Sequence, residues 1–176
     1  MPAKKALLVI DAQDALFHLS KPLHRSDIVL SNIQTLIDQA RTARIPVIYL
    51  QHSSGQSGIF AEGSPGWQIH PSVSPRQGDL VIEKHKADAF CMTKLLQRLN
   101  ELSVETLVVC GFVTEGCVDT TVRRASSLGF KVELASDAHT TTDGEVLPAS
   151  QIVDHHNSVL ASFAEVKKAT EIQFDR

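Results

Sequence analysis

The sequence predicts a three-layer α/β/α domain, and three of its features carry that prediction. Short apolar runs rich in β-branched residues recur along the chain, each bounded by turn or polar residues. Segments with apolar residues at helical spacing fall between them, and run and helix alternate. Such alternation is the pattern of parallel strands joined by right-handed crossovers, with helices on both faces of one sheet. At 176 residues, 43% hydrophobic and 21% charged, the chain has the size and composition of one globular domain, which excludes a disordered, collagen-like or coiled-coil protein. A single domain over residues 1–176 is therefore expected.

The elements follow in order. Ala6 to Ile10 is the first strand, ended by Asp11, and Ile28, Ile33, Leu36, Ile37 and Ala40 mark one face of the first helix. Val47 to Leu50 is the second strand. From 52 to 78 the chain runs 27 residues without a periodic pattern, through Gly55, Gly58, Gly63, Pro65, Gly66, Pro71 and Pro75. Connections in α/β units are usually about 2–6 residues, so this loop is expected to cover a site. Leu80 to Ile82 is the third strand. Leu95, Leu96, Leu99 and Leu102 mark the second helix, with Cys91 expected in its first turn. Thr106 to Cys110 is the fourth strand, closed by Gly111, and a third helix follows with Thr114 as its N-cap and Gly129 as its stop. Val132 to Ala135 is the fifth strand and Ala164 to Val166 a weaker sixth. The strands read as buried on both faces.

Seventeen Lys and Arg against 20 Asp and Glu give a net charge of −3, without the cationic excess that nucleic acid or an anionic lipid surface attracts. No apolar run approaches the roughly 20 residues that span a bilayer. Lys4 and Lys5 precede a short apolar run, but Asp11 ends it before a signal-peptide core is complete, so a cytoplasmic location is expected. Three cysteines are an odd number, which points to free thiols rather than a disulfide framework.

Parallel α/β sheets bind ligands outside the carboxyl ends of their strands, so those positions bear inspection first. Asp11 follows the first strand, Lys84 the third, and Cys117 lies six residues past Gly111 at the end of the fourth. At the start of a helix, unpaired backbone N–H groups favour a thiolate, as would a nearby Lys84 ammonium. A carboxylate beside that thiol can accept its proton and later return it to a leaving group. Cys110 within a strand reads as a small buried hydrophobe.

Leu7 to Gln13, then Lys84 with Ala89-Phe90, then Gly111-Phe112-Val113-Thr114-Glu115-Gly116-Cys117-Val118 resemble the isochorismatase-like cysteine hydrolases, the superfamily that includes nicotinamidases. Pro65 to Pro71, Asp137-Ala138-His139 and His155-His156-Asn157 are similar to its smaller hydrolases. The resemblance implies a six-stranded parallel sheet in Rossmann-like order and a catalytic triad on Asp11, Lys84 and Cys117. It also implies a non-proline cis peptide between Phe112 and Val113, and an oxyanion hole from the backbone N–H groups of Val113 and Cys117. The expected activity is cleavage of a small carboxamide or related C–N bond through a thioester, by a homo-oligomer, dimer or larger, that needs no cofactor. Gln13, Phe17, His52, Trp67, Phe90 and Phe112 are the candidate lining of a substrate pocket.

Where nicotinamidases bind a metal through an Asp-x-His pair after the second strand, this chain has Leu50-Gln51-His52. No carboxylate stands there, and His52 with His70 alone is a poor ligand set, so no metal is expected. The family spacing back from Ala89-Phe90 selects Lys84 over Lys86, which reads as solvated. Two other classes compete. Cys117, five residues and Arg123 match the spacing of phosphatase loops, but the intervening segment has no glycine and carries Asp119, which would repel phosphate. A thiol redox sensor, or a non-hydrolytic binding protein on the same fold, would leave Asp11 and Lys84 without a role.

Overall fold

A computed structural model describes residues 4–174. Strands β1 (Lys5–Ile10), β2 (Val47–His52), β3 (Leu80–Lys84), β4 (Thr106–Phe112), β5 (Lys131–Thr140) and β6 (Glu165–Lys167) form one sheet in the order β3-β2-β1-β4-β5-β6. Every pairing between them is parallel. Helices α1 (Ser26–Thr42), α2 (Leu95–Glu101), α3 (Asp119–Ser127) and α4 (Ala149–Leu160) complete the three layers.

The pleat of β1 explains the layering, because successive side chains of a strand point to opposite faces. Leu7 and Val9 pack with Ile33, Leu36, Ile37 and Ala40 of α1. Ala6, Leu8 and Ile10 pack with Leu95 and Leu99 of α2, Val122 and Ala125 of α3, and Leu160 of α4. A strand covered on both sides has no polar face, which is why its sequence is a continuous apolar run rather than an alternation. β3 departs from that expectation: it lies at the sheet edge and alternates in burial, with Val81 46% exposed.

Strand order reverses at β1, which has β2 on one side and β4 on the other, so the loops leaving β1 and β4 diverge and open a crevice at their carboxyl ends. At that point the backbones of β1 and β4 approach very closely. A Cβ built on Gly111 would lie 2.1 Å from the Ile10 carbonyl oxygen, and Gly111 has φ +124, so no other residue fits.

Two local expectations are corrected. Cys91 lies in a turn and not in a helix: Asp88 accepts from the Phe90 N–H, Thr93 accepts from the Leu95 N–H, and α2 begins only at Leu95. Such local side-chain bonds hold the backbone out of helix. Thr114 is not an N-cap, because the segment Thr114–Val118 forms a π turn in which Gly116 is non-helical (φ −104, ψ −105), and α3 starts at Asp119. Gly129 (φ +93) does follow the last turn of α3. Among the described residues, no helix is long and apolar enough to cross a membrane.

Candidate active site

Asp11 closes β1 with φ 48, in the left-handed region that Asp tolerates better than most residues. Lys84 is the last residue of β3, two strands away, and its fully buried side chain reaches across the end of β2. Cys117 is the fourth residue of the π turn that follows β4. The Lys84 Nζ lies 2.9 Å from Asp11 Oδ2 and 3.2 Å from Cys117 Sγ, so the three residues expected from strand ends do meet.

The same Nζ has two further neighbours, His52 Nδ1 at 3.2 Å and the Lys86 carbonyl oxygen at 3.2 Å. An ammonium has three protons and no acceptor, so His52 Nδ1 faces it as an acceptor and four groups share three donors. Lys86 is itself exposed, as its sequence suggested, yet its carbonyl helps hold Lys84. No side-chain signal marks that role.

Burial pushes the Asp11 carboxyl above its ordinary value, with Lys84 pulling against it. Cys117 is pushed up to about 12, by burial first and by the Asp11 carboxylate second, with Lys84 opposing. Burial and Asp11 thus work against the thiolate that Lys84 favours. The physical reason is that the thiol is largely desolvated beside an anion, and regular helix begins two residues beyond it. Asp11 Oδ1 has no hydrogen-bond partner among the described residues, which leaves the carboxylate free capacity to accept a proton.

The proposed pocket residues separate into two groups. His52 stands in the cluster, its pKa lowered by burial and then by Lys84. Phe90 is half-buried, stacks on Phe130 at 6.1 Å and packs in the same apolar cluster as Cys117. Gln13 is a structural residue: it is fully buried, donates to the carbonyls of His52 and Trp67 and accepts from the His52 N–H. Phe112 is also fully buried in the core, and the half-buried Phe17 meets it edge-on at 5.4 Å. Trp67 offers its carbonyl to Gln13 and Gln51, and these bonds anchor the 52–78 loop. A bridge between Gln13 and Ile69 and the His70 N–H bond to the Ala12 carbonyl tie the same loop beside Asp11, as its length suggested.

The Phe112–Val113 peptide is cis. One carboxylate oxygen of Asp11, a ring nitrogen of His52 and Cys117 Sγ lie within 4.8 Å of one another, a donor set that sequence reasoning did not assemble. A divalent ion does not fit it, because the Lys84 ammonium already contacts all three residues and would have to be displaced. His70 stands apart, accepting from the Ser72 N–H and packing on Phe17. Arg123 is held by Asp119 at 3.0 Å and lies over Phe163, which removes it from any loop around Cys117. A cavity of about 260 Å³ lies between α1, β5 and α4, and its lining contains none of Asp11, Lys84 and Cys117.

The isochorismatase domain model matches residues 5–166. The chain belongs to the isochorismatase family. A streptothricin hydrolase of Streptomyces noursei is 36% identical over 144 residues, which cover 82% of this chain and 52% of that protein. The chain thus spans about half the length of that relative. Nicotinamidase 3 of Arabidopsis thaliana is 31% identical over 159 residues, covering 82% of this chain and 77% of its own. The crystal structure of an isochorismatase from Pseudomonas putida KT2440 superimposes with a TM-score of 0.91 at 36% identity, covering 98% of this chain and 93% of that one.

Proposed function

We propose that the protein is a cysteine hydrolase that cleaves a small carboxamide or related C–N bond through a thioester acyl-enzyme. One observation carries the reading: the buried Lys84 ammonium touches both the Asp11 carboxylate, at 2.9 Å, and the Cys117 sulfur, at 3.2 Å. A carboxylate, an ammonium and a thiol buried together at the crevice of a parallel sheet are costly to folding and supply a base, a counter-charge and a nucleophile. The names of the streptothricin hydrolase and the nicotinamidase support hydrolysis, and the second supports an amide.

The resting thiol is neutral, so its proton leaves as the sulfur attacks. Asp11 takes that proton while the Cys117 sulfur bonds to the substrate carbonyl carbon. The tetrahedral oxyanion rests on the Val113 and Cys117 N–H groups, a pair of donors of the kind worth about 3–4 kcal/mol each in acyl transfer. As the intermediate collapses, the C–N bond breaks and Asp11 returns the proton to the departing nitrogen. Water, deprotonated by Asp11, then attacks the thioester, and the thiol is restored. Lys84 keeps Asp11 ionised against its desolvation and moves no proton. His52, Phe90 and the half-buried Phe17 and Trp67 are the pocket residues that remain candidates for substrate contact.

A redox sensor needs a thiol that ionises easily, whereas burial and Asp11 drive Cys117 the other way. The test is an ammonia-release screen over small amides with wild type and Cys117→Ala in parallel. Release by the wild type alone supports the reading. No release from any amide or amine-releasing C–N substrate overturns it.

A further inference from the structure

Two of the motifs singled out in the sequence, Asp137-Ala138-His139 and His155-His156-Asn157, have no part in the chemistry above, yet they meet in the fold. His139 lies near the end of β5 and is 1% exposed. Its Nε2 is 2.9 Å from Asn157 Oδ1 on α4, and its Nδ1 is 2.9 Å from the hydroxyl of Thr114, itself fully buried, the first residue of the turn that carries Cys117.

The direction of every bond in this chain follows from one group that can only accept. Asn157 Nδ2 donates to the Ser136 carbonyl at 3.1 Å, so its Oδ1 must be the atom facing His139. An amide oxygen only accepts, so His139 carries its proton on Nε2. The Nδ1 lone pair is then free to accept, and the Thr114 hydroxyl donates to it. Three elements, α4, β5 and the nucleophile turn, are thereby joined by a neutral chain of hydrogen bonds in which each proton has one place.

We propose that His139, locked in the Nε2–H tautomer by Asn157, is a positioning residue that holds the Cys117 turn through Thr114. The turn needs such a hold. It is a π turn with a non-helical residue at Gly116, and within it the Gly116 and Val118 N–H groups both rely on the Val113 carbonyl. Thr114 stands between that carbonyl and Cys117 and is pinned from outside the turn. His139 is held neutral, its pKa pushed down to about 4 chiefly by burial, so the arrangement persists across the physiological range.

The inference rests on Cys117 being the nucleophile, and the experiment separates the two. The probe is p-nitrophenyl acetate, an activated ester whose acyl group a nucleophilic Cys117 takes up with release of p-nitrophenol. Acylation is followed across pH for wild type, Cys117→Ala, Thr114→Val, Thr114→Ser and Asn157→Leu, at a temperature where circular dichroism shows each variant folded. Thr114→Val keeps the shape and removes the hydroxyl. It is expected to slow acylation about tenfold or more, since a shift of about 1 Å at a reacting group costs up to 100-fold. Thr114→Ser is expected to restore most of the rate. Asn157→Leu, which releases the tautomer from the next layer, is expected to fall between them. If Thr114→Val or Asn157→Leu acylates at the wild-type rate, the positioning role is overturned while the nucleophile stands. If wild type is not acylated at Cys117, the nucleophile itself falls and the positioning role with it.

Discussion

Two buried polar groups sit within one turn of each other, and they are built on opposite terms. The cluster of Asp11, Lys84, His52 and Cys117 carries charge, has four groups around one ammonium, and leaves Asp11 Oδ1 unpaired among the described residues. The chain Asn157, His139 and Thr114 is neutral, and each proton in it is placed. Unsatisfied charge is expensive in an apolar setting, while a paired neutral network costs little and rigidifies what it touches. The contrast separates two kinds of buried polar group in this fold, one with capacity to spare for a proton and one whose pairing holds its neighbours in place.

The most direct test of this contrast is to remove the proposed nucleophile. Cys117→Ala should lower turnover of an amide substrate by about 10⁴-fold or more, as loss of a nucleophile does elsewhere, while leaving the melting temperature near wild type. Retained ammonia release in a steady-state assay would show that the charged cluster is not the reacting one.

The next largest effect concerns stability. Lys84→Met leaves the Asp11 carboxylate buried and unpaired and should cost about 3–5 kcal/mol in urea unfolding. Thr114→Val breaks a neutral bond and should cost about 1–3 kcal/mol. Equal losses from the two variants would erase the distinction between a charged and a neutral network.

Acidity sharpens it further. His139 is depressed from 6.5 to about 4 in the folded protein, so its contribution to stability is whole above pH 6.5 and is lost as pH falls toward 4. Cys117 is raised from 9.0 to about 12, so its contribution is whole below pH 9 and is lost as pH climbs toward 12. Melting temperatures should decline at both ends, with the acid limb reduced in His139→Gln and the alkaline limb reduced in Cys117→Ala. A variant that leaves its own limb unchanged would remove that group from the account.

The smallest expected effect is that of chelation. With the Lys84 ammonium seated among Asp11, His52 and Cys117, turnover should survive prolonged chelation and dialysis within about twofold, on the scale where a catalytic ion would give a far larger loss. Activity lost to chelation and restored by one equivalent of a divalent metal would mean that the ammonium yields its place.

Sequence alone was enough for the layers and for the strand-end positions of Asp11, Lys84 and Cys117. The continuous apolar runs of β1, β2 and β4 declare strands covered on both faces, and residues that interrupt such runs at their carboxyl ends fall at the sheet edge where ligands bind. Asp11, Lys84 and Cys117 were legible for that reason, because strand ends are local features. The protonation state of the thiol was not legible, since it depends on how far burial and Asp11 outweigh Lys84, and that balance exists only once three distant segments are desolvated together. Aromatic and amide residues have the same composition in a core as in a pocket, and only packing shows Gln13 and Phe112 fully buried in the scaffold. The bond from His139 to Thr114 joins residues 25 apart and that to Asn157 residues 18 apart, and no sequence period relates them. Tertiary structure alone decided those contacts, because a hydrogen bond requires two atoms within about 3 Å and the chain brings these together only through the packing of α4 against the sheet.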